Sequence, residues 1–539
     1  MRSTPTTLKK DIASLILMKV LRRTCSQQVG DRKEGSISLC RKEPDPEPRI
    51  PRALFRQLTA LVCLGVSLSS AVAGRDYPPE VPPPRPFLLP APNVSELPNG
   101  LKVVVIERHS LPLVTLRLVV RSGAEADPPS LAGTAQLVAG LLSQGTIRRS
   151  AQEIADAIDS IGGTLETGAD RDDSYLALTV LSDYTERAFD LAADMVLHPR
   201  FAREELERRR KLTLSALEVL YEDPSYLADT VFDRLIFAGT PYGRPADGTP
   251  ETVRRINEDA LREFHAQNYR PRNSILAVVG DISSEDAYNR AVEFFGKWQG
   301  GPTPGGQLHN ISVVPRGGQL LVIDKPDAVQ TEIRAGNYAV RRASEDYYAL
   351  TVANQILGGP AANRLFKALR TRQGLTYGAS SDLICQEAAG SWVAKTSTRT
   401  SETIRSLHLV LDEMKRLHDD RIAGAELRTA QSYLIGHLAL EFETSEDIAS
   451  QMLELMVHHL PLDYWNRFPE EIQRLRAEDV SRVTRRYLDP ERSVVVLVGN
   501  TSAFRKELKR FGSPVIIPLQ DLDLTSPDLE RAASVPSAR

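Results

Sequence analysis

Apolar positions along the chain fall into two series that repeat in the same order. Residues 101–107 and 113–120 are rich in Val, Leu and Ile and predict strands, the first fed by the turn Leu97-Pro98-Asn99-Gly100. Leu131, Ala135, Val138, Leu141 and Leu142 then recur at helical spacing. A helix over 150–160, strands within 163–181 and long amphipathic helices over 184–237 follow. The second series predicts strands at 320–324 and 331–336, a helix over 346–357, strands within 378–398 and helices over 401–440. Each series closes alike. Tyr269, Pro271, the apolar run 275–279 and Gly280 match Tyr487, Pro490, the run 494–498 and Gly499, which predicts an internal duplication.

Strands broken by helices, without strict βα alternation, predict an α+β class: two tandem homologous domains, each a mainly antiparallel sheet packed with helices. The Gly/Pro-rich stretch from Gly300 to Gly306 is the expected linker. The domain plan is an extension over 1–73, a Pro-rich lead-in over 74–96, a first domain over 97–299, a linker over 300–316, a second domain over 317–515 and a tail over 516–539.

Within the extension, Arg49, Arg52 and Arg56 precede an apolar run at 58–68, and small residues end at Ala71-Val72-Ala73. That is the layout of a signal peptide and predicts an exported, periplasmic protein. The apolar run is short for a spanning helix. Beyond residue 73 the chain has 54 basic against 64 acidic residues, a net charge near −10, which argues against a nucleic-acid partner. Cys25, Cys40 and Cys63 lie in the extension, so the remainder keeps Cys385 and can form no internal disulfide. Cys385 reads as a small buried hydrophobe.

The first predicted helix reads Gly133-Thr134-Ala135-Gln136-Leu137-Val138-Ala139-Gly140, with Gly145-Thr146 behind it. It resembles the zinc-binding helix of the pitrilysin/insulinase metallopeptidases, whose pattern is G-x-A-H-x-x-E-H followed by G-T. The frame is kept and its chemistry is gone. Gln136 and Gly140 stand where that family has two histidine ligands, and Ala139 where it has the general-base glutamate. A catalytic zinc needs three protein ligands and an open water position, and the glutamate deprotonates that water. Ala and Gly supply neither. The resemblance puts the third ligand on a downstream glutamate, for which Glu218 is the nearest candidate. One carboxylate does not hold zinc, so Glu218 reads as a solvated helix residue. The nine histidines give no replacement: seven are scattered singly, and His458 and His459, as helix neighbours, would point about 100° apart. No cofactor is expected in this chain.

Residues 363–377, running Asn363-Arg364-Leu365-Phe366 through Leu369-Arg370 to Gly374-Leu375-Thr376-Tyr377, resemble the same family's R-L-F-x-x-L-R-x-x-x-G-L-x-Y motif, complete. In the family the arginine and tyrosine reach from a C-terminal half to the zinc site of an N-terminal half. The resemblance implies that Arg370 holds substrate backbone carbonyls and that the Tyr377 hydroxyl donates to the oxyanion of the tetrahedral intermediate. The same letters also fit structural roles, with Arg370 a helix C-terminal cation, Gly374 a cap and Tyr377 a packed strand residue. Arginine rather than lysine favours the fork onto carbonyls. Arg364 and Arg372 read as structural or surface residues.

Two functions stay open. One is the non-catalytic subunit of an exported zinc-dependent endopeptidase, similar to mitochondrial processing peptidase and bacterial two-chain peptidases. Its partners would be a homologous chain carrying the zinc and a peptide substrate. The other is a peptide-binding or structural scaffold with no role in catalysis. The intact second motif favours the first. A relocated active site has no support: the sequence offers no G-x-S-x-G, no usable Cys/His pair and no phosphate loop.

Overall fold

The apolar run before Gly280 forms the centre of a sheet, because residues of that kind on consecutive positions leave neither face to water. The computed structural model describes residues 88–301, 318–360 and 363–531. The segment read as a signal and nearly all of the expected linker lie outside them. The first sheet comprises β1 (Asn93–Glu96), β2 (Lys102–Glu107), β3 (Leu113–Val120), β4 (Thr164–Ala169), β5 (Ser174–Leu181) and β6 (Ser274–Gly280). Its order is β1-β2-β6-β3-β5-β4, with β2 and β6 parallel and the other neighbours antiparallel. The helices of this half are α1 (Thr134–Leu141), α2 (Ala151–Ser160), α3 (Thr185–Leu197), α4 (Arg203–Glu222), α5 (Pro224–Ile236), α6 (Pro250–Arg255), α7 (Glu258–Asn268) and α8 (Ser284–Phe295).

The second half repeats the plan. β7 (Leu320–Asp324), β8 (Gln330–Ala339), β9 (Ala379–Cys385), β10 (Gly390–Arg399), β11 (Val494–Gly499) and β12 (Val515–Pro518) form a sheet of order β12-β7-β11-β8-β10-β9. Its helices are α9 (Tyr347–Gly358), α10 (Thr403–Asp419), α11 (Gly424–His437), α12 (Ser445–Val457), α13 (Tyr464–Arg474) and α14 (Ala477–Tyr487). The five inner and far strands correspond one to one between the sheets, as the duplication predicts. The first edge differs. β1 precedes β2 and runs antiparallel to it, whereas β12 arrives from the C-terminal side and runs parallel to β7.

Both edge strands extend the expected boundaries, β1 into the Pro-rich lead-in and β12 into the tail. An edge strand is held chiefly by backbone hydrogen bonds and is mostly exposed here, so its side chains carry no alternating signal. The tail also delivers Leu522, Leu524 and Leu529 to a buried cluster around α5.

Each sheet is covered on its second face by a helix from the other half. In β6, Leu276 and Val278 pack with the helices of their own half, while Ile275, Ala277 and Val279 belong to the core built by the second half. That core reaches them through α12, which packs on β3 and β6. The reverse holds for β11. Val495 and Leu497 face their own helices, and Val494, Val496 and Val498 join Leu227, Val231 and Phe232 of α5. Both crossing helices have firm starts: Asp223 accepts from Ser225 N ahead of Pro224, and Thr444 forms a capping box with Asp447. Gly336 of β8 makes the approach of α5 possible, since a Cβ there would sit 2.9 Å from the Phe232 ring and 2.3 Å from the Trp392 carbonyl.

A charge clamp fixes α5 on the second sheet. Asp229 accepts from Arg334 Nε at 2.7 Å and lies 3.1 Å from Lys395 Nζ, and Arg334 also reaches Glu332 and the Ser225 hydroxyl. The matching position of the first sheet, Arg117 of β3, lies over the Tyr175 ring and 3.9 Å from Glu446 of α12. Burial works against the charge of Asp229, but Arg334 and Lys395 outweigh it and hold its carboxyl below the usual range. A lowered carboxyl contributes stability above the unfolded-state pKa of about 3.9 and loses it as pH falls through the folded value. Asp229→Asn is therefore expected to cost about 1–3 kcal/mol at neutral pH, where Arg334 is left short of a partner. The deficit should shrink below about pH 3. Urea unfolding at both pH values checks this, and equal stability at neutral pH would show that the clamp contributes nothing.

Candidate functional site

The local chain path into α1 is set by a buried carboxylate. Gly133 enters the helix at φ +96, in the left-handed region, and donates its N–H to Asp127 Oδ2 at 2.6 Å, while Ala135 N donates to Oδ1 at 2.8 Å. Burial pushes the Asp127 carboxyl up to about 7, against the pull of these two bonds and of Arg244. α1 packs against α4, α7, β4 and β5. All its residues but one are buried, so the helix does not carry the single apolar face that its spacing suggested. Leu131, assigned to that face, stands half-buried in the turn ahead of it.

The exception is Gln136, which is half-buried and fully engaged. Its Oε1 accepts from Ala169 N at 3.0 Å at the end of β4, and its Nε2 donates to Asp247 Oδ1 at 3.3 Å. Ala139 is completely enclosed. Gly140 has the guanidinium of Arg209, from α4, laid against it: a Cβ at this position would meet Nη2 at 2.8 Å. Glu218 lies on α4 as well, but it is exposed, and its neighbour Leu217 is the residue that packs inward. The frame of the helix thus persists with an amide, a methyl group and a bare backbone in the three chemical positions. None of these donors binds zinc, and among the described residues no group of three or more His, Cys, Asp or Glu side chains is arranged to hold a metal ion. Arg209 and Asp127 were not singled out from the sequence; the run Arg208-Arg209-Arg210 within a helical pattern was the available signal for the first.

The second motif is also built locally. Asn363 caps its opening turn by accepting from Phe366 N at 2.7 Å. One α-helical turn, Arg364–Phe366, passes into a π-helical segment, Lys367–Thr371, a wide turn often found at functional sites. Leu365 and Leu369 anchor it in the core, and Arg364 forks onto Glu426 at 2.9 and 2.8 Å, a structural role. Arg372 is exposed. Gly374, at φ +61, ends the turn by donating to the Arg370 carbonyl at 3.0 Å, as the cap reading expects.

Arg370 and Tyr377 are brought together. Arg370 Nη1 donates to the Tyr377 carbonyl at 2.7 Å, and the guanidinium lies 5.0 Å from the Phe366 ring. Tyr377 is in the loop ahead of β9, not in the strand, and its side chain is unpacked, with the residue 85% exposed. The motif packs against α9, α10 and β9 of the second half, none of which touches α1 in the packing just described. Arg370 and Tyr377 thus lie on a turn and loop of the second half, and Gln136, Ala139 and Gly140 on α1 of the first. No helix among the described residues is long and apolar enough to cross a membrane.

Comparison with known proteins agrees with both halves. The insulinase (peptidase family M16) model matches residues 102–249, and the peptidase M16 inactive domain model matches residues 255–434. An uncharacterized zinc protease of Mycobacterium leprae is 27% identical, over 74% of this chain and 90% of its own length. A non-peptidase homolog of Helicobacter pylori is 23% identical, over 75% of this chain and 93% of its own. The crystal structure of a peptidase M16 inactive domain from Pseudomonas fluorescens superposes with a TM-score of 0.70 at 28% identity, covering 76% of this chain and 97% of that one. With family matches across both halves of a duplicated fold, and with no H-x-x-E-H in its sequence, this chain belongs to the insulinase family, peptidase family M16, as a member without that zinc motif.

Proposed function

We propose that this chain is the non-catalytic subunit of an exported zinc-dependent endopeptidase, pairing with a homologous zinc-bearing chain and bringing Arg370 and Tyr377 to that chain's site. The exposure of Tyr377 carries the reading. A tyrosine kept for packing would bury its ring, whereas this one is 85% exposed on a loop held in shape by Arg370. The phenol is free to donate to an oxyanion formed on a peptide bound elsewhere. Arg370 commits Nη1 to the Tyr377 carbonyl, and a guanidinium has five N–H donors, so others remain for peptide carbonyls. The basic, apolar and small-residue succession ending at Ala73 supports export to the periplasm. The alternative, a scaffold with no part in catalysis, accounts for the lost ligands but gives the exposed tyrosine no task.

Four outcomes are expected. The chain alone should hold no stoichiometric zinc and cleave no peptide, because its three positions offer no ligands; metal analysis finding one tight zinc per chain, lost together with peptidase activity, would contradict this. Restoring the motif by Q136H, A139E and G140H together should still fail to hold zinc tightly, with or without Arg209→Ala, since Glu218, the nearest candidate for the third ligand, is exposed on α4; equilibrium dialysis finding one tight zinc per chain in either variant would contradict this. In a complex reconstituted with a homologous chain bearing H-x-x-E-H, Tyr377→Phe should lower kcat by about 100-fold or more without affecting assembly. Arg370→Ala should act chiefly on KM, because it contacts substrate in ground and transition states alike. Full activity of a complex carrying both changes would leave the scaffold as the function.

A further inference from the structure

A positive charge from α4 lies against α1. The atoms nearest to a Cβ built at Gly140 are Nη2, Cζ and Nε of Arg209, at 2.8, 3.0 and 3.0 Å. All three belong to the guanidinium, so the planar group is seated on the bare backbone of the glycine. The adjacent arginines are committed elsewhere. Arg208 pairs with Glu205 and reaches Gln144, and Arg210 pairs with Glu207 and donates to the carbonyls of Val253 and Ile256. Arg209 is half-buried, and among the described residues no hydrogen bond or ion pair engages its side chain. A cation held partly out of water without a counter-charge gains more from an anion than an exposed one does. Gln136, one helical turn before Gly140 and so on the same face of α1, is kept in place by Ala169 and Asp247.

We infer that Arg209, seated on Gly140, is a carboxylate-binding site that takes an acidic side chain or the free C-terminus of a peptide. The guanidinium fork matches a carboxylate with two parallel hydrogen bonds. Ala139 beside it has no group to act as a base, so a peptide held there is bound and left intact. Glycine at 140 is the condition for the site: a Cβ would require the guanidinium to move, and its flexible stem lets it do so without disturbing the helix. The site belongs to the chain itself and does not depend on a partner.

Isothermal titration of the full chain with three peptides tests it: acetyl-Ala-Ala-Glu-Ala-Ala-amide, acetyl-Ala-Ala-Gln-Ala-Ala with a free C-terminus, and the Gln peptide as its amide. One or both of the carboxylate peptides should bind about tenfold or more tighter than the neutral one, and which does so identifies the side chain or the terminus as the source. High salt should narrow the difference. Arg209→Met should abolish it, and so should Gly140→Ala, which introduces a better helix former and keeps the test open where the first variant folds poorly. Equal affinity of all three peptides for the wild-type chain, or a preference that survives either substitution in a folded variant, would overturn the assignment.

Discussion

Each sheet of this protein depends on a helix that the other half of the chain supplies. The central strands β2, β6, β7 and β11 are apolar on both faces, and one face of each is closed by local helices. The other is closed by exchange, α5 crossing to the second sheet and α12 to the first. Burying one Val, Leu or Ile side chain is worth about 1.5–3 kcal/mol, so neither sheet can forgo a face carrying several. Polar contacts follow the same seam. Asp172 of the first half accepts from the Tyr242 hydroxyl at 2.5 Å and from Glu387 N of the second half at 2.9 Å. The halves are therefore one folding unit in energetic terms, although they are two domains in descent.

The exchange explains why the fold outlives its own chemistry. α1 is wedged between α4, α7 and the sheet, and its stability comes from burial and from the Asp127 bonds at its start. Neither source requires a metal. Gln136 is held in place by two hydrogen bonds, and Arg209 closes the space over Gly140. The second half shows the complementary case. Its motif keeps every letter, and the π-helical turn, the Gly374 cap and the Arg370 bond all serve to hold an unpacked tyrosine at the surface. Conformational order spent on an exposed side chain has no structural return within the chain itself.

The duplication was legible in the sequence because it is written in local pattern. Apolar runs ended by glycine mark central strands wherever they occur, and both runs became β6 and β11. The missing zinc chemistry was legible for a still simpler reason: Ala139 and Gly140 have no donor atoms in any fold. The edge strands β1 and β12 were not, since backbone pairing at an edge imposes little on side chains.

Periodicity also states that a helix has an apolar face without stating what that face meets. α5 reads as one of the amphipathic helices of its own half and α12 lies beyond the helices expected over 401–440, and only the folded chain sends each to the opposite sheet, since that is where uncovered apolar surface remains. Tyr377 could be packed or exposed on its letters alone, and the folded chain leaves it 85% exposed in the loop ahead of β9. Arg209 is one arginine in a charged run until α4 lies against α1 and brings it onto Gly140. The sequence by itself determined the central strands, the repeat of their order and which chemistry the first half lacks, because all three are properties of near neighbours in the chain. The partners of each apolar face, and the cation now beside α1, come from contacts between residues far apart in sequence, and those exist only once the two halves close on each other.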